Sequence, residues 1–522
     1  MNAPTLKDEY ARLERDRYKV LERAHKNAVL TVPSIQPRDY QSSEDLPQNF
    51  QSMGARGVAN LSSKLLLSLF PPTMAFMRLE LDPATLEELI AEDARLAEAG
   101  EKPKIVSEVQ AALSEIEKQA LSEFDTEGWR PVVAEALRLL VVTGNCVIYD
   151  RPGAKSPTVL DLRQFVAKRD PENRLKTLII RQGISVIDAE AYLGHELTRA
   201  QLQGEGFPEY GTETNEDVID LYTGARRTEE GKFEFFQEIA GEIVSGSQNL
   251  VEPKDLPLMH LQFSPVFGES YGRSYIEDYQ ADLLVLEQLS RALAEGAMIM
   301  SKVVFLVRPG SSTKVSSISS APNGSVRVGD SDDISAIQAQ KGGDMAVAYS
   351  QMQDLKTALA KAFLLNSSVQ RGGERVTAEE VRFSAMELEA ALGGVYSSLA
   401  ETVQRPLVEY LYSRMKRTGK ITALPKEVKP VIATGLEAIS RNHQAVRIQQ
   451  FLQSINQSIP PDQLIQYLRY ESLLADLATS LNLPKDQYIR TAEEIQQIMA
   501  AQQQQSAVEN LGPDVIRAAA QQ

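Results

Sequence analysis

The sequence has very few of the residues on which disulfides, zinc sites and histidine chemistry depend. Cys146 is the only cysteine among 522 residues, which excludes an intrachain disulfide and a zinc site built from several cysteines. The four histidines are scattered, and none has a second ligand three or four positions away on a helix: His25, His195, His260 and His443. The sequence therefore predicts no metal site and no bound cofactor.

Long apolar runs are also missing. A helix that spans a bilayer needs about 20 consecutive apolar residues, and no stretch of this sequence approaches that length. Residues 1–20 are rich in charge and contain no apolar signal core. We therefore expect a soluble, unsecreted protein that does not insert into a membrane.

The common motifs of catalysis are absent as well. No GxxxxGK[ST] phosphate loop occurs, and the nearest imitation, residues 268–274, has the wrong spacing and favours a turn. His195-Glu196 begins like a zinc-protease helix, but Arg199 takes the place of the second histidine. Asp330, Asp332 and Asp333 lack the glycine and the distal glutamate of a calcium loop. The sequence thus indicates a protein that is not an enzyme.

Charge restricts the kinds of partner. The formal net charge is −16, which argues against a surface that reads DNA sequence, since phosphate neutralisation needs clustered Lys and Arg. An acidic wall with a few basic points would suit a conduit through which DNA slides, because tight binding would oppose movement. Charge alone favours the simpler interpretation that the acidic residues keep the protein soluble.

Hydrophobic spacing predicts a mixed α+β fold, predominantly helical. Apolar residues recur at helical intervals in 5–26, 49–69, 83–124 with a break near Gly100 and Pro103, and 131–142. Strands are predicted where β-branched and aromatic residues cluster: 146–150, 177–182, 218–224 and 233–240.

The second half has a different order of elements. A proline-free run from Tyr271 to Met300 predicts a helical rod of about 42 Å, at about 1.5 Å per residue. Short strands and loops are predicted in 302–340, which includes VVFLV and SVRVG. A helix is predicted at 344–365, a glycine-containing loop at 366–376 and a longer helix at 377–416. Thr377 and Glu380 have the spacing of a capping box.

Two segments resemble the head-to-tail connector, or portal, family of short-tailed bacteriophages. They are FQSMGARGVANLSSKLLLSLFPP (50–72) and RVTAEEVRFSAMELEAALGGVYSSLAETVQRPLV (375–408), which includes the Gly393-Gly394 break and Pro406. The resemblance extends from about residue 5 to about residue 455 and is negligible in the glutamine-rich end. Neither segment is a catalytic signature.

The resemblance implies a subunit with wing, stem, clip and crown parts that assembles as a cyclic ring. The implied boundaries are 1–271 (wing), 272–300 (stem helix 1), 301–343 (clip), 344–365 (stem helix 2), 366–376 (channel loop), 377–431 (long wing helix and return), 432–501 (helical crown) and 502–522 (glutamine-rich C-terminus). Two long helices can project a small β-insert away from the body, where only an assembly gives it neighbours. A β-tip that packs within its own chain remains the alternative.

The resemblance also implies partners and a location. Portal rings, commonly of about twelve subunits, stand at one vertex of the virion capsid, and double-stranded DNA is packaged and ejected through their channel without sequence-specific contacts. The expected partners are the terminase large subunit, tail adaptor proteins, and the major capsid and scaffolding proteins. Assembly would take place in the host cytoplasm.

The predicted channel loop carries the candidate DNA contacts. Its residues offer hydrogen bonds, positive charge and backbone freedom: Gln370, Arg371, Gly372, Gly373 and Arg375. Repeated around a ring, they would form a basic belt. The alternative is an ordinary surface loop with solvated arginines.

Four lysines and arginines outside the loop are weaker candidates. Lys356 and Lys361 on the second stem helix could line the channel, or could instead pair with acidic residues of a neighbouring subunit. Lys314 and Arg327 in the clip could meet the packaging motor or tail proteins. Spacing alone does not decide between these roles.

Two other functions remain as alternatives. A helical scaffold or coiled-coil assembly protein would use the long helices, although a/d heptads are not sustained over three or four repeats. A metal-dependent nuclease is favoured only by the abundance of Asp and Glu. Rod-like dimers would support the scaffold, and magnesium-dependent DNA cleavage would support the nuclease.

Overall fold

A computed structural model describes most of the first 421 residues. The described ranges are 4–37, 46–72, 76–98, 105–198, 201, 218–301, 304–310, 331–337, 342–365, 394–421 and 430–433, with positions 316, 322, 324–326, 386, 388 and 390. The chain divides into two compact units, residues 1–75 with 118–421, and residues 76–117 with 422–522. The predicted capping box at Thr377 and nearly all of the predicted crown lie outside the described residues.

The described helices confirm most of the helical predictions. They are α1 (Leu6–Leu30), α2 (Met53–Leu69), α3 (Pro83–Glu98), α4 (Ile105–Thr126), α5 (Trp129–Thr143), α6 (Val186–Leu193), α7 (Gln280–Met300), α8 (Gly342–Ala362), α9 (Val395–Leu399) and α10 (Arg405–Arg417). Thr5 caps α1 by accepting a hydrogen bond from the Asp8 backbone N–H. Gly144 ends α5 at φ +79°, a conformation that favours glycine. No helix in the described part is long and apolar enough to cross a membrane.

The strands confirm the predicted α+β class. They are β1 (Arg78–Leu81), β2 (Asn145–Tyr149), β3 (Thr158–Leu160), β4 (Phe165–Arg169), β5 (Leu175–Ser185), β6 (Val218–Arg227), β7 (Phe233–Ile239), β8 (Glu242–Ile243), β9 (Asn249–Val251), β10 (Leu258–Gln262), β11 (Val304–Val307), β12 (Ile334–Ile337) and β13 (Pro430–Ala433). The largest sheet is antiparallel in the order β4-β5-β6-β7-β8, with β9 beside β7, and a second sheet has the order β10-β2-β3.

Two hydrophobic cores of the first unit lie on the two faces of the large sheet. Leu6, Tyr10 and Leu13 of α1 pack on one face against side chains of β4 to β7: Val166, Ile179, Tyr222 and Phe236. Phe165, Leu178 and Ile180 point to the other face, towards the β10-β2-β3 sheet. Each large apolar side chain buried there contributes about 1.5–3 kcal/mol. The period-2 pattern of the strands explains why neighbouring residues serve opposite faces.

A network of charged and hydroxyl groups connects α10 to the rest of the first unit. Asp150 is buried, and its Oδ2 accepts a hydrogen bond from the Tyr410 hydroxyl at 2.7 Å and lies 3.2 Å from Arg414 Nε. Arg414 also pairs with Glu127, whose other oxygen lies 2.8 Å from Lys420 Nζ. Although burial opposes it, these hydrogen bonds from Lys420 and Arg414 lower the pKa of Glu127 to about 2.

Helix α7, which the resemblance assigns to the stem, is shorter than the sequence predicts. Residues 276–279 form a 3-10 turn, and the α-helix begins only at Gln280, so the rod is about 31 Å long rather than about 42 Å. Ser264 and Arg273 exchange two backbone hydrogen bonds, and Asn145 binds both the N–H and the C=O of Gly272. These contacts hold the backbone before the 3-10 turn outside the helix.

In the region predicted as the clip, β11 coincides with the predicted VVFLV strand, and its partner is a segment that the sequence pattern did not single out. β11 pairs antiparallel with β12, from Val304 opposite Ile337 to Val307 opposite Ile334. Ser325 and Val326, the first residues of SVRVG, lie outside any strand, and Val326 is 97% exposed. Only SVRVG alternates polar and apolar residues, whereas β12 reads ISAI, so alternation did not identify the partner of β11.

The helix predicted at 377–416 is not continuous in its described part. Gly394, at φ +90°, precedes α9, a π-helical turn occupies Ala400–Gln404, and α10 follows. The break at Gly394 is the one expected from the resemblance. Pro406 lacks an N–H, and its ring would clash with the carbonyl of Thr402 in a regular α-helix, so the wider π turn accommodates it.

The second unit is described only in part. Within it, β1 pairs antiparallel with β13, Arg78 lying opposite Ala433. The Leu79 N–H donates a hydrogen bond to Glu117 Oε1 at 2.8 Å, which ties the strand to α4.

Candidate functional site: the helical hairpin and its anchor

Helices α7 and α8 form an antiparallel hairpin with a fixed register. Ser290 lies opposite Met352, with 3.7 Å between Oγ and Sδ, and a Cβ on Gly296 would meet the Met345 methyl group at 2.9 Å. Buried or half-buried side chains repeat every three or four residues along the seam: Leu283, Leu286, Ser290, Leu293, Met352, Leu355 and Leu359. This spacing is the one by which paired helices interlock.

An aromatic cluster closes the base of the hairpin. The Phe363 ring lies 5.9 Å from each of the Tyr275 and Tyr279 rings, and Tyr275 lies 6.0 Å from Phe263. Phe363 is fully buried. The chain therefore enters and leaves the hairpin through a packed aromatic base, and pairs of this kind contribute about 0.5–1.5 kcal/mol beyond the area they bury.

Three consecutive carbonyl groups at the end of α8 are held by side chains of other elements. The Tyr275 hydroxyl donates to the Ala362 carbonyl at 2.8 Å. The Asn60 Nδ2 group of α2 donates to the carbonyls of Phe363 and Leu364, at 2.8 Å and 3.1 Å. Helix C-termini leave such carbonyls without intrahelical partners. The anchor, meaning Asn60, Tyr275 and these three carbonyls, fixes the backbone immediately before the predicted channel loop.

The closeness of α2 to this base depends on a glycine. A Cβ at Gly57 would lie 2.5 Å from Cγ of Phe363, well inside van der Waals contact. Leu364 follows at φ +55°, a left-handed conformation that is uncommon outside glycine, asparagine and aspartate. The chain thus turns sharply at the anchor, under tight packing from α2.

Residues 50 and 51 bind the middle of α7. Glu287 accepts hydrogen bonds from the backbone N–H groups of Phe50 and Gln51. The Arg291 guanidinium lies 5.0 Å from the centre of the Phe50 ring. Phe50, Tyr349 and Lys356 line a mostly apolar groove of about 620 Å³ along the hairpin.

The two candidate stem lysines point in different directions. Lys356 is half-buried and lines the groove beside Phe50, whereas Lys361 is exposed on the outer side of α8. Five residues of helix rotate the side chain by about 140°. Lys356 and Lys361 therefore do not share a face, and within the described ranges neither makes an ion pair.

The remaining candidates lie outside the described residues. These are the loop residues Gln370, Arg371, Gly372, Gly373 and Arg375, and the clip residues Lys314 and Arg327. The sequence did not predict the anchoring roles of Asn60, Tyr275 and Glu287. A signal for one of them existed, because Asn60 belongs to the segment 50–72 on which the family resemblance rests.

Cys146 and His260, whose residue types often serve catalysis, are buried in the core. Burial raises the pKa of the Cys146 thiol, so it is not a reactive thiolate. Burial, and then the neighbouring Arg169, hold the pKa of His260 well below its usual value. The described residues contain no cluster of His, Cys, Asp and Glu that could hold a metal ion.

Comparison with known proteins gives a consistent result. The family model for the bacteriophage head to tail connecting protein matches residues 3–489. The portal protein of Escherichia phage T7 is 34% identical over 515 residues, which is 97% of this chain and 91% of that protein. The portal protein of Enterobacteria phage T3 is 32% identical over 507 residues, 96% of this chain and 91% of that protein. The portal protein of Enterobacteria phage SP6 is 28% identical over 512 residues, which is 96% of this chain and 93% of that protein.

The described part of the chain is an α+β body that carries a helical hairpin with an anchored base. The family match and the sequence identities show which family this is, because they extend over nearly the whole chain. The chain belongs to the bacteriophage head-to-tail connecting protein family, the portal proteins of short-tailed phages. Its role is that of a virion protein at the capsid vertex that connects head and tail. Membership of this family favours a portal protein over the scaffold and nuclease alternatives.

Proposed function

We propose that the chain forms a closed ring around a channel through which double-stranded DNA is packaged and ejected. The observation that carries the proposal is the anchor at the end of α8, which fixes the chain just before residues 366–376. A loop that meets moving DNA needs a firm attachment, and three held carbonyls provide one. The family membership supports a ring, because a connector joins a capsid vertex to a tail.

The proposal divides the subunit into the parts that the family resemblance implies. Helices α7 and α8 are the stem, the β11-β12 pair is the core of the clip, and the body that contains the large sheet is the wing. Residues 432–501 are assigned to the crown. In the described part of the clip region, β11 and β12 pair with each other. The partners of the clip are expected to be other subunits, the terminase large subunit and tail adaptor proteins, with Lys314 and Arg327 as candidate contacts. The proposed assembly also contacts the major capsid and scaffolding proteins and forms in the host cytoplasm.

Electron microscopy of the purified protein tests the ring directly. Class averages are expected to show rotational symmetry with about twelve subunits and an axial hole that admits duplex DNA. Monomers or rods at high protein concentration would overturn the proposal.

The loop residues are proposed to form a basic belt that contacts the DNA backbone. Replacing both Arg371 and Arg375 by alanine should leave ring assembly intact and lower the length of DNA retained per capsid, because phosphate contacts are lost around the whole channel. Gel analysis of DNA from purified capsids measures this. Arg12 and Arg15, exposed on α1, supply a matched double-alanine control. Full-length packaging by the loop variant would exclude the belt.

A further inference from the structure

The outer faces of α7 and α8 carry side-chain stripes with the same spacing as the seam inside the hairpin. Exposed residues of α7 fall at intervals of four and three: Leu284, Gln288, Arg291, Glu295 and Met298. Exposed residues of α8 do the same: Val347, Gln351, Asp354, Ala358 and Lys361. Each stripe lies on the side of its helix that faces away from the other helix. The hairpin is thus a two-helix layer with a patterned edge on each side.

These edges are apolar at several points where solvent reaches them. Leu284 is 45% exposed, Met298 is 59% exposed and Val347 is 69% exposed. Side chains of this kind at interlocking intervals favour contact with another helix. Because the two edges differ and lie on opposite sides, the contact between copies is heterologous, the type that closes into rings.

The charges on the two edges are complementary. Arg291 on α7 and Asp354 on α8 are both exposed, and the part of the chain that the structure describes gives neither of them an ion-pair partner. The Arg291 guanidinium stacks on Phe50, which leaves the N–H groups at its edge free to meet a carboxylate.

The register within the hairpin predicts which residues meet between copies. Tyr279 lies opposite Phe363, and Ser290 lies opposite Met352. A residue before or in α7 and a residue in or after α8 are therefore level along the hairpin when their numbers add up to 642. In the ring that we propose, the hairpin runs parallel to the ring axis. Rotation from one copy to the next then leaves the position of each residue along that axis unchanged. The α7 edge of one copy then places Leu284 opposite Ala358 of the next copy, and Arg291 within three residues, about 4.5 Å along the helix, of Asp354.

We propose that neighbouring subunits join through these edges, α7 of one copy packing against α8 of the next, with an Arg291–Asp354 ion pair between them. The proposal rests on the proposed ring and names the surface that builds it. It also gives Asp354 and the apolar edge residues a partner, which is a second copy of this chain.

Charge reversal tests the pair. Arg291→Glu and Asp354→Arg should each abolish the ring in sedimentation velocity and in electron micrographs, because like charges then face one another at every interface. The double variant Arg291→Glu/Asp354→Arg should form rings again. Glu229→Arg, in an exposed turn of the body, is a control with the same charge change as Asp354→Arg and should leave rings unaffected.

Mixing the two single variants provides a second readout. In an alternating ring, each introduced glutamate faces an introduced arginine and each native Arg291 faces a native Asp354. Equimolar mixing should therefore restore rings, which a misfolded variant could not do. Rings formed by either single variant alone, or no rescue by the double variant and by mixing, would overturn the interface. Absence of rings in the unmodified protein would instead overturn the proposed function.

Discussion

Replacing Asp150 by alanine is expected to lower the free energy of unfolding by about 3–5 kcal/mol, the cost of breaking a buried ion pair from one side. The Asp150 carboxylate is 7% exposed and lies 3.2 Å from Arg414 Nε. It also accepts the Tyr410 hydrogen bond at 2.7 Å. Without it, Arg414 and the hydroxyl of Tyr410 each lose a partner in a buried site. Denaturant unfolding, followed by circular dichroism, measures the change.

A surface pair supplies the comparison. Glu401 pairs with Arg405 at 3.0 Å, but the two side chains are 63% and 47% exposed. Exposed pairs contribute about 0–1 kcal/mol, so Glu401→Ala should change stability little. Equal losses for the Asp150 and Glu401 variants would show that burial does not set the strength of the α10 attachment.

Gly57→Val is expected to destabilise the base of the hairpin by about 1–3 kcal/mol or more, the usual cost of overpacking a core. A Cβ at position 57 would lie 2.5 Å from the Phe363 ring, which is itself fully buried and cannot move into solvent cheaply. The better helix propensity of valine offsets only part of this cost. If residues 366–376 form the channel loop, the same variant should also package less DNA, because displacing the Phe363 ring also moves the Phe363 carbonyl, which belongs to the anchor.

A double-variant cycle isolates the contact. Phe363→Ala alone should cost about 3–5 kcal/mol through the cavity it leaves. In that background Gly57→Val should cost little, since the ring it would strike is gone, so the two changes should be strongly non-additive. Additive losses would mean that the Gly57–Phe363 approach is not the source of the effect.

The sequence predicted elements well where local signals agree. Proline and glycine placed the ends of α2 and α5, and the apolar and aromatic runs placed β2, β5, β6 and β7. The start of α7 was wrong because the bonds that hold Gly272 come from Asn145, more than a hundred residues away. The sequence indicated no partner for β11, and only the structure shows that β11 pairs with β12. Contacts between residues that are distant in sequence determine both the start of α7 and the partner of β11.

The candidate site was predictable only in outline. The helical intervals of α7 and α8 predict a hairpin, and a separation of five residues already places Lys356 and Lys361 on different faces. Which face of α8 lies against another element depends on tertiary packing. For Lys356 the neighbouring residue is Phe50, which lines the same groove. The anchor could not be predicted, because Asn60 is an ordinary polar residue of α2 until the end of α8 is brought beside it.

The held carbonyls at the end of α8 have a mechanical consequence. Since Tyr275 and Asn60 fasten Ala362, Phe363 and Leu364 to other elements, a force applied to the residues that follow is transmitted first to α2 and to the turn before α7. Part of any such force therefore passes through these hydrogen bonds into the body of the subunit and does not act on the α7–α8 seam alone.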